Sequence, residues 1–282
     1  MPDATLNNCR IWYELKGSGD YLLQIGGAGF AHENFGFATD EMARHFTVID
    51  FDLRGYGLSE RPSQTYSMDV WADDVAAFLD HLGVERTHVH GTSMGGMVAM
   101  RLASKYPDRV AGLVLDCTCA KCDFMARSRF EVWKALASAY GMGSRELALE
   151  LATQALSRGF LDSPAGPPVV DTIQEVLERN CSVDVFCGAC DAMIEMDLSD
   201  DLARITAPTL VMDGDEDILT PLDQGPEGVG NRAIADAIPG AELYVVEGCA
   251  HTNLMEQPEL SSEIVVNFLA RVGVTTAGTA AA

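Results

Sequence analysis

A chain of 282 residues with 48% hydrophobic and 22% charged side chains has a globular composition and enough length to bury a sizeable core, which excludes wholesale disorder. Its 42 acidic against 19 basic side chains leave a net charge of −23, which repels nucleic acid and anionic membrane surfaces alike. No apolar run is long enough to span a bilayer, and the opening Met-Pro-Asp-Ala-Thr-Leu-Asn-Asn lacks the basic flank and apolar stretch of a secretory signal. The expectation is a cytoplasmic protein with neither nucleic acid nor membrane as partner.

Along the chain, short apolar runs alternate with longer amphipathic stretches, the pattern of an α/β protein with a mostly parallel sheet flanked by helices. Strands are predicted over 10–15, 21–25, 47–51, 87–90, 112–116, 209–212 and 243–246. Helices are predicted over 34–44, 68–82, 94–106, 232–237 and 260–271, with Gly83 and Pro107 as stop signals. The alternation ceases between about 119 and 205. There the sequence reads helical over 130–140, 145–156 and 170–179, with Ser163-Pro-Ala-Gly-Pro-Pro168 as an intervening loop. An insert of that length is no plain connection and predicts a helical cap after the sixth strand. The expected organisation is a core over 1–118 and 206–274, a cap over 119–205, and a flexible tail over 275–282.

Eight cysteines stand at 9, 117, 119, 122, 181, 187, 190 and 249, six of them in two clusters. Neither cluster has the glycine-backed knuckle spacing of a structural zinc site. They read as small, partly buried thiols of a reducing compartment, and no metal is expected.

The strongest local signal is Gly91-Thr92-Ser93-Met94-Gly95-Gly96, between a predicted strand and an apolar helix. In that context Gly-x-Ser-x-Gly makes a sharp turn that lifts the serine above the sheet edge, with glycines where any side chain would meet backbone. Ser93 is the candidate nucleophile and needs a base. Of the histidines, His251 alone follows Ser93 in the chain, and the order nucleophile, acid, histidine selects it. The acid should end a strand between them. Asp217 is the first choice in the run Asp213-Gly214-Asp215-Glu216-Asp217, with Asp215 second and Asp116, at the end of the preceding strand, third. Oxyanion donors are expected from the backbone N–H groups of Met94, next to the nucleophile, and Ala28, in the loop Gly26-Gly27-Ala28-Gly29. That loop lacks the dinucleotide-binding spacing, so no cofactor is expected.

Taken together, Asp52-Leu-Arg-Gly-Tyr-Gly-Leu-Ser59, Gly91-Thr-Ser-Met-Gly-Gly96, Gly214-x2-Asp217 and His251-x4-Glu256-x-Pro258 resemble the α/β-hydrolase superfamily over nearly the whole chain. Three further stretches resemble 3-oxoadipate enol-lactonases: Thr118-Cys-Ala-Lys121, Cys187-Gly-Ala-Cys190 to Met196-Asp197-Leu198, and Ile205-Thr-Ala-Pro-Thr209. Many relatives carry His-Gly where this chain has Gly26-Gly27. The resemblance implies a triad of Ser93, Asp217 and His251, with Ala28 and Met94 as oxyanion donors.

Residues 121–145 hold Lys121, Arg127, Arg129, Lys134 and Arg145 against Asp123 and Glu131, a local reversal of the chain's sign. It marks Arg127 or Arg129 as a candidate clamp for a substrate carboxylate. Phe124, Met125, Phe130 and Trp133 are candidates for an apolar pocket wall. Three readings follow. The first is a serine hydrolase of small carboxylic esters or lactones working through an acyl-enzyme. The second is a hydrolase of carbon–carbon bonds in ring-fission diketo acids, whose Gly-x-Ser-Met-Gly-Gly motif this chain also resembles. The third is a ligand-binding receptor on a hydrolase scaffold.

Overall fold

The computed structural model describes residues 3–36 and 38–274; the tail expected over 275–282 lies outside them. One eight-stranded sheet carries the fold, in the order β1-β2-β4-β3-β5-β6-β7-β8. The strands are β1 (Asp3–Leu6), β2 (Cys9–Gly17), β3 (Tyr21–Ile25), β4 (Thr47–Phe51), β5 (Thr87–Thr92), β6 (Val110–Asp116), β7 (Thr209–Gly214) and β8 (Glu242–Val246). β2 runs antiparallel to β1 and β4, and every pairing from β4 through β8 is parallel. The central β5 and β6 are buried at every position. Covered on both faces, they read in sequence as continuous apolar runs.

The helices are α1 (Thr39–Met42), α2 (Met68–Leu82), α3 (Met94–Lys105), α4 (Phe124–Tyr140), α5 (Arg145–Ala155), α6 (Arg158–Leu161), α7 (Gly166–Asn180), α8 (Val183–Glu195), α9 (Asn231–Ala237), α10 (Asn253–Glu256) and α11 (Pro258–Val272). Two apolar layers enclose the sheet. Phe35, Met42, Val265 and Phe268 cover one face. Trp71, Phe78, Val98 and Leu102 belong to a larger cluster that continues without a break into Trp133, Leu177 and Phe186 of the segment between β6 and β7.

That segment is helical, α4 to α8. Each of α4, α5, α6 and α8 starts on a side chain that accepts a hydrogen bond from its own first turn: Asp123, Ser144, Ser157 and Ser182. Each such cap is worth about 1 kcal/mol. The two necks of the segment are clipped together. Lys121 forms an isolated antiparallel bridge with Asp197, Leu198 N–H donates to Ala120 O at 2.9 Å, and Lys121 Nζ meets Asp197 Oδ2 at 2.6 Å.

Four expectations need correction. β1 was absent from the predicted strands. It is a short edge strand closed onto β2 by Asn7 and Asn8, both at positive φ (47° and 59°), the two-residue hairpin loop that asparagine tolerates. The helix expected over 34–44 is a 3-10 turn, His32–Phe35, followed by the four-residue α1. Phe35, Ala38 and Met42 supply helical spacing, but Asn34 Oδ1 is drawn to Gly27 N–H at 3.2 Å. The loop expected over 163–168 gives way to α7 at Gly166, whose prolines occupy the first turn, where a missing N–H costs nothing. α8 was not expected at all, because Gly188 interrupts it. A Cβ on that glycine would lie 3.1 Å from the Tyr66 ring, so the helix uses the gap for close packing.

Candidate active site

β3 lies between β4 and β5, so successive connections leave it in opposite directions, and the crevice at the carboxyl ends of β3 and β5 is where open α/β sheets bind ligands. Ser93 stands there, between β5 and α3, with φ 57° and ψ −120°. Such a conformation costs a non-glycine residue about 1–3 kcal/mol and persists only where the surroundings enforce it. They do so here. Ser93 N–H donates to Asp116 O at 2.9 Å, and Ser93 O accepts from Thr118 Oγ1 at 2.7 Å. The flanking glycines have no room for a side chain. A Cβ on Gly91 would sit 2.3 Å from Gly95 O, and one on Gly95 1.9 Å from Ile25 O.

His251 lies on the loop after β8, and its Nδ1 meets Asp217 Oδ2 at 2.8 Å. Asp217, on the loop after β7, is almost saturated. Its Oδ1 accepts from Leu219 N–H (2.7 Å) and Thr220 N–H (3.1 Å), and its Oδ2 also accepts from Thr220 Oγ1 (3.0 Å). Burial alone would raise the Asp217 pKa, but His251 and the Thr220 N–H outweigh it and hold the carboxyl below its ordinary value. Asp215 points elsewhere, accepting from Gly248 N–H at 2.6 Å. Asp116 accepts from Asn253 Nδ2 at 2.7 Å and touches the cavity wall. Of the three carboxylates considered from sequence, only Asp217 is bonded to His251.

Sequence reasoning passed over Asp213, the last residue but one of β7. It is fully buried and accepts from Asn231 Nδ2 at 2.9 Å. Burial first, then the neighbouring Asp217 charge, push its pKa up to about 10. At neutral pH Asp213 is the protonated member of the pair and Asp217 the ionised one. Glu256 ties down the histidine loop by accepting from Ala250 N–H at 3.0 Å and from Ser157 N–H at 3.2 Å.

Ser93, Ala28 and His251 open onto one cavity of about 420 Å³. Among the described residues no hydrogen bond joins Ser93 Oγ to His251; hydrogen bonds of this kind are often loose until substrate is bound. The N–H groups of Ala28 and Met94 have no acceptor among the described residues, so both are free to receive one. The apolar wall comes from Trp133, Leu151, Leu156, Ile173, Val176 and Leu254.

Trp133 therefore lies where the sequence suggested, but Phe124, Arg127 and Arg129 do not line the cavity. α4 buries Ala126, Phe130, Trp133 and Ala137, the stripe one helical face presents, and the other three side chains fall outside it. Phe124 is 73% exposed. Arg127 instead donates through Nε to Cys122 O at 3.0 Å. The arginine at the cavity is Arg179 of α7, which no sequence pattern singled out.

All eight cysteines are unpaired. Cys117, Asp217 and His251 offer ligand atoms within 4.8 Å of one another, the one group among the described residues that a metal could join. The buried Cys117 thiol suits that poorly. Burial and then Asp116 push its pKa well up, opposite to what a thiolate ligand requires.

Residues 22–258 match the model of the α/β hydrolase fold family. Among curated proteins, the chain is 29% identical to "3-oxoadipate enol-lactonase 2" of Acinetobacter baylyi, over 80% of this chain and 79% of that one. It is also 29% identical to a "2-hydroxymuconate semialdehyde hydrolase" of Pseudomonas sp. strain CF600, over 90% and 88%. Among solved structures, the enol-lactonase from Burkholderia xenovorans LB400 superposes with a TM-score of 0.85 at 24% identity, covering 95% of this chain and all of that one; this last likeness is one of fold. With the family model matched along most of its length, the chain belongs to the α/β-hydrolase family and is a hydrolase.

Proposed function

We propose that this hydrolase cleaves small carboxylic esters or lactones through an acyl-enzyme, with Ser93 as nucleophile, His251 as base and Asp217 as the acid that orients it. The observation carrying this reading is that His251, paired with Asp217 at 2.8 Å, borders the same largely apolar cavity as the strained Ser93. With Nδ1–H donated to Asp217, His251 presents the unprotonated Nε2. That nitrogen takes the Ser93 proton as Oγ attacks the carbonyl. Negative charge on the former carbonyl oxygen is received by the free N–H groups of Ala28 and Met94. His251 passes the proton to the departing alkoxide, then takes one from the water that attacks the acyl-enzyme and returns it to Ser93 Oγ as the acid leaves. In this reading the helical segment over 119–205 is the cap that shapes the acyl site, and the enzyme needs no cofactor or metal.

A fluorophosphonate located by peptide mass spectrometry tests the proposal. Stoichiometric attachment to Ser93 that is lost in His251→Ala supports it; a folded wild type that takes no label refutes it. The semialdehyde hydrolase among the relatives favours carbon–carbon bond hydrolysis as a second reading on the same triad. A yellow dienone acid offered beside a lactone separates the two.

A further inference from the structure

Resting on the reading above, we propose that the Ser93 cavity selects uncharged esters or lactones with an apolar acyl group and rejects substrates bearing a free carboxylate. The specificity-determining residue is Glu33, which pairs with the one guanidinium bordering the cavity among the described residues.

Four charged or chargeable side chains other than His251 border the cavity: Glu33, Asp116, Glu175 and Arg179. Three carboxyl groups thus face one cation. Arg179 is already engaged, since its Nη2 donates to Glu33 Oε1 in a close ion pair and its Nε donates to Asn180 Oδ1 at 3.3 Å. Asn180 Nδ2 donates to the same Glu33 oxygen. Burial would raise the Glu33 pKa, but the bonds from Asn180 and Arg179 hold it below its ordinary value, so Glu33 stays ionised. Its side chain is only 22% exposed.

A substrate carboxylate that took over Arg179 Nη2 would compete with Glu33, whose largely buried carboxylate would keep only the Asn180 bond. It would also enter a cavity bordered by Asp116 and Glu175, in a chain whose net charge is −23 and whose field repels anions during approach. The remaining wall, including Trp133, Leu151 and Ile173, is complementary to hydrocarbon.

The test compares 4-nitrophenyl hexanoate with mono-4-nitrophenyl adipate. The two share leaving group and acyl length and differ only in the terminal carboxylate. The expected kcat/KM ratio favours the neutral ester by about 100-fold, the scale of like-charge juxtaposition in a partly desolvated site. Glu33→Gln, which keeps the side-chain shape, should narrow the ratio at least about fivefold through KM for the adipate. A second arm needs no variant. Raising NaCl from about 20 mM to about 500 mM on wild type should raise relative kcat/KM for the adipate several-fold as the repulsion is screened.

Equal or better turnover of the adipate overturns the inference while leaving the hydrolase reading intact. A folded Glu33→Gln with an unchanged ratio overturns the assignment to Glu33. Turnover of neither ester overturns the hydrolase reading, and this inference with it.

Discussion

Asp213 and Asp217 are separated by four positions and share one buried site, yet replacing each with asparagine should have opposite consequences. Asp217→Asn puts an amide NH2 where His251 Nδ1 now donates at 2.8 Å. To avoid two donors facing each other, the imidazole must carry its proton on Nε2, the tautomer that cannot accept from Ser93. In a serine triad that error costs about 10,000-fold in kcat, or about 5.5 kcal/mol of barrier at 1.36 kcal/mol per tenfold. Asp213 is different, because its carboxyl is already neutral at pH 7, with a pKa pushed up to about 10 by burial and by Asp217. Asparagine there replaces one uncharged group with another of the same shape, so kcat should fall less than about threefold. Stopped-flow hydrolysis of 4-nitrophenyl hexanoate by the two purified variants reads both numbers. If Asp217→Asn keeps a tenth of wild-type kcat, or Asp213→Asn falls as far as Asp217→Asn, the division of labour argued from the geometry is wrong.

The same assignment has a pH signature in stability. Between an unfolded pKa near 3.8 and the folded value of about 10, the native state binds more protons at Asp213 than the unfolded state does. Stability therefore falls as pH rises through that window, and Asp213→Asn removes the penalty. Its Tm advantage over wild type should be absent at about pH 3.5 and grow from about pH 5 to pH 9 by differential scanning calorimetry; a constant offset would contradict it. At the nucleophile, Ser93→Gly relieves the φ 57°, ψ −120° strain that Ser93→Ala retains. Urea unfolding should place the glycine variant about 1 kcal/mol above the alanine variant, once glycine's own entropic cost is subtracted. Asp123→Ala removes the acceptor for Ala126 N–H at 2.9 Å and for Gly225 N–H at 2.9 Å. It should cost about 1–2 kcal/mol by the same method.

Much of this architecture is legible in the sequence because its signals are local. β3, β4 and α2 carry clear periods and stop residues, and the turn around Ser93 is written in two glycines that geometry forbids from being anything else. His251 follows from chain order. β1 and α8 escaped for different reasons: β1 is a four-residue strand too short to show a period, and α8 is governed by a contact distant in sequence. α8 tolerates Gly188 because Tyr66 fills the space. Charge counting failed for the cavity for this second reason. Five cations in 121–145 look like a binding stripe, but the phase of α4 turns Arg127 and Arg129 away from the cavity. Arg179 and its partner Glu33 are 146 positions apart, and no window on the sequence brings them together. Asp213 looked like one acid among several. Its protonation becomes visible only once its burial and its distance from other charges are known.

The clip at the base of the helical segment has an evolutionary consequence. Because Lys121 pairs with Asp197 and Ala120 accepts from Leu198 N–H, the two necks stand one strand-spacing apart whatever lies between them. They join β6 and β7, already neighbours in the sheet. Residues 122–196 can thus change as a cassette while the sheet register beneath holds, provided the contacts back to the core are kept, Ser157 N–H to Glu256 beside the histidine loop among them. Of the groups bordering the cavity, Trp133, Leu151, Ile173, Glu175 and Arg179 all belong to the cassette, whereas Glu33 stays with the core. On the proposed reading, substrate preference can therefore shift with the cassette, but in step with the core, because Arg179 inside it pairs with Glu33 outside it. Grafting a related family member's segment between Lys121 and Asp197 is the natural way to retune it.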